Sequence, residues 1–169
     1  MLMSVYLLDC VKYHEDWESV TWEDCTLRQW MNDDFYNSAF TASEKKHILT
    51  SYLENVDNLW YGTEGGNDTE DKVFALSLEE AEQYFGIKDF GAYSSPELSA
   101  AKVTEYAEAQ GAYVSEYESS AGNGWWCLRS PGFRNDHVVY VYGGDFSEDG
   151  VSVDSDFGTR PALWLNLNP

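Results

Sequence analysis

Two apolar segments near the C-terminus constrain this chain more than any other feature. The segments, WWCLRSPG at 125–132 and RPALWLNL at 160–167, are short aromatic and aliphatic runs that predict buried strands. The stretch between them, 133–158, is rich in Tyr, Phe, Asp, Ser, Asn, Val, His and Gly and lacks Lys, Gln, Met, Trp and Pro. Tyrosine supplies rigid contact area, while Ser, Gly and Asn supply adaptable hydrogen bonds, so this composition is typical of binding loops. The sequence therefore predicts a rigid frame that presents a binding surface over 133–158.

Length, hydrophobic content and charge restrict the class of protein. With 169 residues, 43% of them hydrophobic and 16% aromatic, the chain is expected to form a single folded domain over 1–169. Thirty acidic residues against ten basic ones give a formal net charge of -20. Such a surface repels phosphate backbones and anionic lipids, so we expect neither nucleic acid nor membrane as a partner. Cationic ligands, basic proteins and divalent metals stay compatible with this charge.

The N-terminus and the cysteines bear on the cellular compartment. The first residues have no basic n-region and their apolar run breaks at Asp9, so no signal peptide is predicted. No segment approaches the roughly 18 apolar residues that a membrane span needs. Cys10, Cys25 and Cys127 have no CxxC spacing and fit reduced thiols. We therefore expect a cytoplasmic protein as the sequence is written, with an upstream leader or partner segment left open.

Local patterns predict an α+β domain with early helices and late strands. Capping residues and helical spacing predict helices that begin near Thr26, Thr41, Ser77 and Ser95, the last one running to Gly111. Alternating or β-branched runs predict strands at 4–8, 72–77, 112–117, 125–130, 137–142, 150–155 and 161–167. The polar stretch 57–71 is expected to be an exposed acidic loop, and 86–94 a linker.

Catalytic signals are weak. Three histidines, His14, His47 and His137, could serve as a base, but no GxSxG elbow surrounds a serine. Cys127 could act as a nucleophile if the nearby Arg129 lowered its pKa. Its position between Trp126 and Leu128 favours an inert buried thiol instead. We therefore predict no catalytic residues.

Metal and cofactor signals are equally weak. No HxH, HExxH or CxxC motif offers zinc a pair of ligands, and no phosphate-binding glycine motif is present. Carboxylates do gather in the late hairpin region, at Asp145, Glu148, Asp149, Asp154 and Asp156. Oxygen ligands suit calcium, although turn-forming aspartate explains most of these positions. We expect no metal and no cofactor, and leave calcium as the alternative.

Two arginines lie at the edges of the predicted binding region. Arg129 and Arg160 each come shortly before a proline, between an apolar strand and a loop. A guanidinium there can bind loop carbonyls or a carboxylate through its planar set of donors. We predict that both are structural clamps fixing the ends of 133–158, with Trp126 and Trp164 as structural residues beside them.

These motifs carry a family resemblance. The chain resembles a broad family of bacterial and phage domains with a WWLRSPG strand and a RPALWL strand, and the family is mostly described as of unknown role. Here Cys127 replaces the usual second tryptophan, and Thr159 precedes the second motif where valine is usual. The segments 20–40, 72–85 and 103–111 also match the family style, so the resemblance covers nearly the whole chain.

The C-terminal pattern is also similar to the C-type-lectin-like fold. That resemblance implies early helices packed on a twisted antiparallel sheet, with the ligand face on the late strands and loops. Some proteins with this fold and ending are variable proteins of diversity-generating retroelements, in which adenines of asparagine codons are randomised. Such randomisation yields Phe, Tyr, Asp, His, Ser, Val, Gly, Arg or Asn but never Lys, Gln, Glu, Met or Trp. Between 133 and 158 only Glu148 departs from that rule, which makes this stretch a candidate variable region.

The favoured hypothesis is a non-catalytic binding module for a protein or a small polar ligand. Strand alternation predicts Val139 and Val141 in the core, and His137, Tyr140 and Tyr142 at the surface, which requires a bulge between 137 and 140. The candidate ligand-binding residues share an aromatic or polar character and are Phe133, Arg134, Asn135, Asp136, His137, Tyr140, Tyr142, Asp145, Phe146, Ser147, Asp154, Ser155 and Phe157. One alternative is an acidic structural or regulatory interaction domain. The other is an enzyme resembling formylglycine-generating enzymes, which share the fold and need a pair of cysteines close in space.

Overall fold

The computed structural model describes residues 1–86 and 96–167, which form a mixed α+β structure. Within these residues one three-stranded sheet, β6-β7-β8, is accompanied by small two-stranded sheets. The strands are β1 (Leu2–Met3), β2 (Tyr6–Leu7), β3 (Ser51–Leu53), β4 (Thr69–Asp71), β5 (Lys102–Val103), β6 (Trp126–Pro131), β7 (His137–Tyr142), β8 (Asp145–Ser152) and β9 (Ala162–Leu163). The predicted α+β class is confirmed.

The helices are short and precede the three-stranded sheet in the chain. They are α1 (Thr26–Trp30), α2 (Tyr36–Ala39), α3 (Leu78–Phe85), α4 (Pro96–Ser99) and α5 (Glu105–Ala109), with a π-helical turn (Met31–Phe35) between α1 and α2 and 3-10 turns at Trp22–Asp24, Glu44–Lys46 and Glu118–Ser120. The predicted capping box of α3 is confirmed, because Ser77 and Glu80 exchange both of its hydrogen bonds. Gly86 ends this helix with a φ of 70°, a left-handed conformation that favours glycine.

The two ends of the chain pair with each other. β1 pairs antiparallel with β9, and the following segment 8–14 runs beside 153–159. Leu8 N–H donates to the Thr159 carbonyl (2.9 Å), and Thr159 N–H donates to the Asp9 carbonyl (2.8 Å). Further along, His14 N–H donates to the Val153 carbonyl (2.9 Å). The end of 133–158 and the residues that follow it are therefore held on one side by the N-terminal residues.

The core joins the three-stranded sheet to the early helices. Its largest fully buried side chains are Tyr13, Trp22, Phe74, Trp126 and Phe157. These residues come from distant parts of the sequence, so burial of their rings draws the early and late halves of the chain into one core. Burying an aromatic side chain removes a large apolar area from water, and we expect these residues to dominate the stability of the fold.

A double irregularity in the sheet lies opposite one residue of β7. From Val138 to Tyr140 the central strand advances two residues, while its β8 partners run from Val151 to Ser147 and its β6 partners from Pro131 to Cys127. Each neighbouring strand thus carries two extra residues at this point, which is a bulge on both sides. An irregularity thus falls within the interval predicted for a bulge, but its extra residues lie in β6 and β8 and not in β7. Val139 and Val141 are both fully buried, as predicted.

The helix predicted from Ser95 to Gly111 is wrong. The described part of that stretch forms α4, then β5, then α5, whose N-cap Thr104 accepts the N–H of Ala107 (3.1 Å). β5 pairs in parallel with β2 through Tyr6 and Lys102. Tertiary strand pairing has therefore overridden local helical propensity. The predicted cap at 95 and most of the predicted linker, 87–94, lie outside the described residues.

The stretch 57–71 is not an exposed loop throughout. β4 pairs with β3, and the buried carboxylate of Asp71 accepts hydrogen bonds from the Trp22 indole (2.9 Å) and from Arg28 Nε (2.7 Å). The Thr69 hydroxyl donates a third hydrogen bond to the Asp71 carboxylate (2.8 Å). The prediction failed because a lone aspartate in a polar stretch gives no sign that its charge will be compensated inside the fold.

Several predicted strands are shorter than expected or missing. The segment 72–77 is buried and pairs through a single bridge, Phe74 with Ala162. The segment 112–117 forms no strand, and 161–167 contributes only β9 and a bridge between Ile48 and Leu165. The Thr41 capping box is made, with the Glu44 carboxylate accepting the Thr41 N–H (2.7 Å), but only one 3-10 turn follows it.

Candidate functional site

Arg129 joins β6 to two segments from the first half of the chain. Its side chain is buried, and Nε donates to Asn55 Oδ1 (3.1 Å) while Nη1 donates to the Ala75 carbonyl (3.0 Å). Nη1 also forms an ion pair with Glu80, and Nη2 donates to the Glu54 carbonyl (3.3 Å). A lysine could not reach these partners together, because only the planar guanidinium presents donors in several fixed directions.

Arg160 makes a second buried clamp at the other end of 133–158. Its Nε donates to the Ser4 carbonyl (3.0 Å) and its Nη1 to the Ser99 carbonyl (2.7 Å). The guanidinium lies over the rings of Trp126 (4.8 Å) and Phe85 (5.5 Å). Burial lowers the pKa of Arg160 to about 10, which leaves it charged at neutral pH. Both arginines therefore bind segments outside 133–158, and each fixes one end of it to the body of the protein.

The two predicted structural tryptophans have different environments. Trp126 is buried, and its indole N–H donates to the Ser99 carbonyl (3.1 Å). Trp164 has an exposed side chain, and its backbone carbonyl accepts the N–H of Leu49 (2.9 Å). The structural contribution of Trp164 shown by these contacts is therefore made by its backbone.

The start of β7 presents an exposed aromatic cluster, the Phe133 patch, formed by Tyr61, Phe133, Arg134, Asp136 and His137. The exposed Phe133 ring lies 4.5 Å from the His137 ring and 6.3 Å from the Tyr61 ring. The Arg134 guanidinium lies 4.7 Å above the same ring. A ring held on three sides has few conformations to lose when a partner binds, which favours recognition.

Asp136 organises the polar part of the Phe133 patch. Its Oδ1 accepts hydrogen bonds from His137 Nδ1 (2.8 Å) and Arg134 Nε (3.0 Å). Partial burial acts to raise the pKa of Asp136, but the hydrogen bond from His137 and the charge of Arg134 outweigh it, so the pKa falls below its ordinary value of 3.8. The carboxylate therefore stays ionised and keeps both neighbours in place.

Three further candidates adjoin this patch. Asn135 Nδ2 donates to the Glu64 carbonyl (2.7 Å). The Val153 N–H donates to the Asp136 carbonyl (3.1 Å), which brings the turn containing Asp154 and Ser155 beside the patch. The structure thus brings the candidates at 133–137 together with those at 154–155.

A second aromatic cluster, the Tyr142 patch, lies at the far end of β7 and consists of Tyr113, Trp125, Tyr140 and Tyr142. The Trp125 ring lies 5.0 Å from Tyr113, 5.7 Å from Tyr140 and 5.4 Å from Tyr142. Tyr142 is exposed, whereas Tyr140 is half-buried against Phe157. The Trp125 indole nitrogen is buried and has no hydrogen-bond partner among the described residues. Along β7, roughly 17 Å separates the two patches, from five steps of about 3.4 Å.

Four remaining candidates lie around the β7–β8 hairpin, and one of them must be corrected. Phe157 is fully buried, so it is a core residue and not a ligand contact. Phe146 is half-buried against Phe85 and Trp126, which leaves only part of its ring available. Asp145 is exposed opposite Tyr142, and the Ser147 hydroxyl donates to Asp149 (2.9 Å).

A groove of about 500 Å³ lies at the tip of this hairpin. Gly143, Asn123, Ser119, Lys102 and Tyr6 are among the residues that line it. Polar amide, hydroxyl and ammonium groups beside an aromatic ring are suited to a small polar ligand.

Sequence reasoning missed a turn at 58–63 beside the Phe133 patch. Leu59, Trp60 and Tyr61 are consecutive and exposed, and Tyr61 contacts Phe133. The buried Asn58 side chain donates to the carbonyls of Pro131 (2.8 Å) and Glu148 (3.2 Å). Three large apolar residues within an otherwise polar loop were the signal that could have identified this turn.

Comparison with known proteins identifies the family. The family model described as "Domain of unknown function (DUF6273)" matches residues 1–167. The chain belongs to the DUF6273 family. No curated protein and no solved structure matches it.

The cysteines of this DUF6273 domain are poorly placed for nucleophilic chemistry. Burial raises the pKa of Cys25 to about 12. Burial, with the neighbouring Cys25 adding to it, also raises the pKa of Cys127. Burial, followed by the charges of Asp156 and Asp9, raises the pKa of Cys10 to about 11. The reactive form of a cysteine is the thiolate, so all three are expected to be unreactive at neutral pH.

The described residues contain neither a metal-binding cluster nor a membrane-spanning helix. Within 1–86 and 96–167, no three His, Cys, Asp or Glu side chains are arranged to hold a metal ion, and the late acidic residues considered for calcium form no such group. Over those ranges of the DUF6273 chain, no helix has the length and apolarity required to traverse a bilayer.

Proposed function

We propose that this chain is a non-catalytic binding module with a C-type-lectin-like fold, and that its main recognition surface is the Phe133 patch. The ligand is a protein or a small polar molecule. The two proposed ligand classes correspond to the two kinds of surface present, the aromatic patches at the ends of β7 and the groove at the hairpin tip.

The observation that carries the proposal is the exposed Phe133 ring on a fixed backbone. Phe133 N–H donates to the Asp149 carbonyl (2.9 Å), Gly132 N–H donates to the His137 carbonyl (2.8 Å), and His137 N–H donates to the Arg134 carbonyl (3.0 Å). Tyrosine and arginine, which flank this ring as Tyr61 and Arg134, are among the residues that most often dominate binding energy. A ring on a fixed backbone also has little conformational freedom to lose when a partner binds.

Two further features support a binding role. The Tyr142 patch adds a second aromatic surface, on which Tyr142 is exposed beside the Trp125 ring. The raised pKa values of the thiols support a non-catalytic role, because they disfavour a cysteine nucleophile. Free cysteines in the described residues fit a reducing compartment, and we propose a cytoplasmic location.

We also propose that 133–158 is the diversified region of a retroelement target protein. Most of the side chains of the Phe133 patch could be exchanged without opening the core, because Phe133 and Arg134 are exposed while Arg129 and Arg160 hold the frame from outside the region. The test is the DNA beside the gene. A reverse transcriptase gene and a near-copy of the codons for 133–158, with adenines at the divergent positions, would support diversification, and their absence would refute it.

Binding itself can be tested with matched variants. Wild type, Phe133→Ala/Arg134→Ala and Tyr106→Ala are immobilised and exposed to extract from the native host, and retained proteins are quantified. Tyr106 is an exposed aromatic residue on α5, so it controls for nonspecific ring contacts. We expect a partner retained equally by wild type and Tyr106→Ala, and about tenfold less by the double variant. Equal retention by all three proteins would contradict the proposal.

A further inference from the structure

The turn at 58–63 exposes three large apolar side chains in succession. Leu59 is 73% exposed, Trp60 57% and Tyr61 49%. Single exposed apolar residues are common on protein surfaces, but a contiguous group marks an interaction site. These three residues lie next to the Phe133 patch through the contact of Tyr61 with Phe133.

Hydrogen bonds hold the backbone of this turn. The Gly62 N–H donates to the Asn58 carbonyl (2.7 Å), and the Asn58 N–H donates to the Thr63 carbonyl (2.8 Å). Asn58 Oδ1 accepts the N–H groups of Trp60 (2.9 Å) and Tyr61 (3.3 Å). Exposure of the three side chains is therefore a property of a fixed turn, and little conformational entropy remains to be lost when a partner binds.

Asn58 also seats this turn on the bulged part of the sheet. Its Nδ2 reaches the carbonyls of Pro131 and Glu148, which belong to the strands on either side of β7 at the double irregularity. The backbone groups freed by the irregular pairing thus accept hydrogen bonds from the residue that shapes the turn. An aromatic surface carried on the sheet in this way is more rigid than one on a free loop.

A narrow cleft separates the turn from the start of α3, and the charged residues described along it are acidic. Its apolar lining residues are Val56, Leu59, Trp60 and Leu78, and its acidic ones are Asp57, Glu79 and Glu82. The described lining residues include no lysine, arginine or histidine. Partial burial, with the charge of Glu79 adding to it, raises the pKa of Glu82.

We infer that the 58–63 turn and the start of α3 form a docking site for a basic segment of a protein partner. The cleft of about 10 Å³ has room for about one water molecule, so the basic side chain lies across its mouth. The aliphatic stem of a lysine or arginine packs on the exposed Leu59 and Trp60, and its charged head faces the carboxylates of Glu79 and Glu82 from outside the cleft. The formal net charge of -20 steers such a segment toward the surface. This inference rests on the proposed binding function and names the class of partner.

The test uses a peptide pair that differs in one charge. Acetyl-Leu-Lys-Leu-amide and its norleucine counterpart are titrated into the isotopically labelled full chain, and amide and indole N–H shifts are followed by NMR. We expect saturable shifts with the lysine peptide at 57–61 and 78–82, including the Trp60 indole, and at least about threefold weaker binding of the norleucine peptide. Higher ionic strength is expected to weaken binding of the lysine peptide more than binding of the norleucine peptide.

Matched variants separate this site from general charge attraction. Trp17 is 64% exposed and lies among Glu15, Asp16 and Glu18, so it reproduces the residue type and the acidic surroundings away from the cleft. We expect Trp60→Ala to weaken binding of the lysine peptide about tenfold and Glu82→Gln to weaken it about threefold. Trp17→Ala should leave this affinity unchanged.

Three results would overturn the inference: equal binding of the two peptides, equal effects of Trp60→Ala and Trp17→Ala, or no saturable shift at about 10 mM peptide, a concentration that would detect even weak contacts. The proposed function is judged separately, by retention of a host partner on the Phe133→Ala/Arg134→Ala variant. If the lysine peptide causes no saturable shifts at the cleft but a host partner still requires Phe133 for retention, only the inference is refuted.

Discussion

Arg129 and Glu80 form an ion pair that joins the first strand of the large sheet to the capping box of α3. Glu80 Oε2 accepts both the Arg129 guanidinium and the backbone N–H of Ser77 (2.8 Å). One carboxylate oxygen thus fixes a helix start and neutralises a buried cation. The frame of the candidate site is therefore connected to the helix that borders the docking cleft.

Arg129→Lys is expected to lower the free energy of unfolding by about 3 kcal/mol, because lysine cannot satisfy the buried partners that the guanidinium reaches. Glu80→Gln is expected to cost less, since glutamine can still complete the capping box. Urea unfolding gives both values, with Arg134→Lys as an exposed control. A loss below about 1 kcal/mol for Arg129→Lys would show that the arginine is not a clamp.

Thr159→Val is expected to stabilise the protein by about 1 kcal/mol. The Thr159 hydroxyl is buried and has no hydrogen-bond partner among the described residues, and an unsatisfied buried polar group is costly. Thr159→Ser, which keeps the hydroxyl and removes the methyl group, should instead destabilise by about 1 kcal/mol. Chemical denaturation compares the two, and a destabilising valine would contradict the assignment.

Tyr140→Ala and Tyr142→Ala should differ although they share a cluster. Tyr140 packs on both Trp125 and the buried Phe157, so its truncation is expected to cost about 2 kcal/mol. Tyr142 is exposed and contacts Trp125 edge to face, so its truncation should cost less than about 1 kcal/mol. Equal losses of stability, measured by thermal unfolding, would show that the two rings contribute equally to the fold.

Asn58→Ala is expected to destabilise the protein by about 3 kcal/mol, since it leaves the Pro131 and Glu148 carbonyls without their donor. Hydrogen exchange at the Trp60 and Tyr61 amides should also accelerate. Asn37→Ala, at an exposed position, should change stability by less than about 0.5 kcal/mol. Unchanged exchange at 60 and 61 would mean that the turn is held by other contacts.

Protonation of Asp136 should release the polar half of the Phe133 patch. Its folded-state pKa lies below the ordinary 3.8, so its contribution to stability is present above that value and is lost as the pH falls through the lowered pKa. The carboxyl carbon of Asp136, followed by NMR, should titrate below 3.8, and the Phe133 amide should follow it. Asp136→Asn should abolish this response, and a midpoint at or above 3.8 would contradict it.

Features that depend on near neighbours could be predicted from the amino-acid sequence. The capping box at Ser77 and Glu80, the end of α3 at Gly86 and the strand at 137–142 follow from local hydrogen bonding and side-chain alternation. The burial of Val139 and Val141 follows from the same alternation. These features require only contacts within a few residues, which a local pattern records.

Contacts between distant parts of the chain could not be predicted and are known from the folded structure. Phe157 is of a residue type common in binding loops, but it is buried in the core. Asn58 donates to carbonyls 73 and 90 residues away and so holds the turn that exposes Trp60 and Tyr61. The pairing of β5 with β2 replaced a predicted helix in the same way. A local pattern contains no information about such contacts, because their energy depends on surfaces that exist only once the chain has folded.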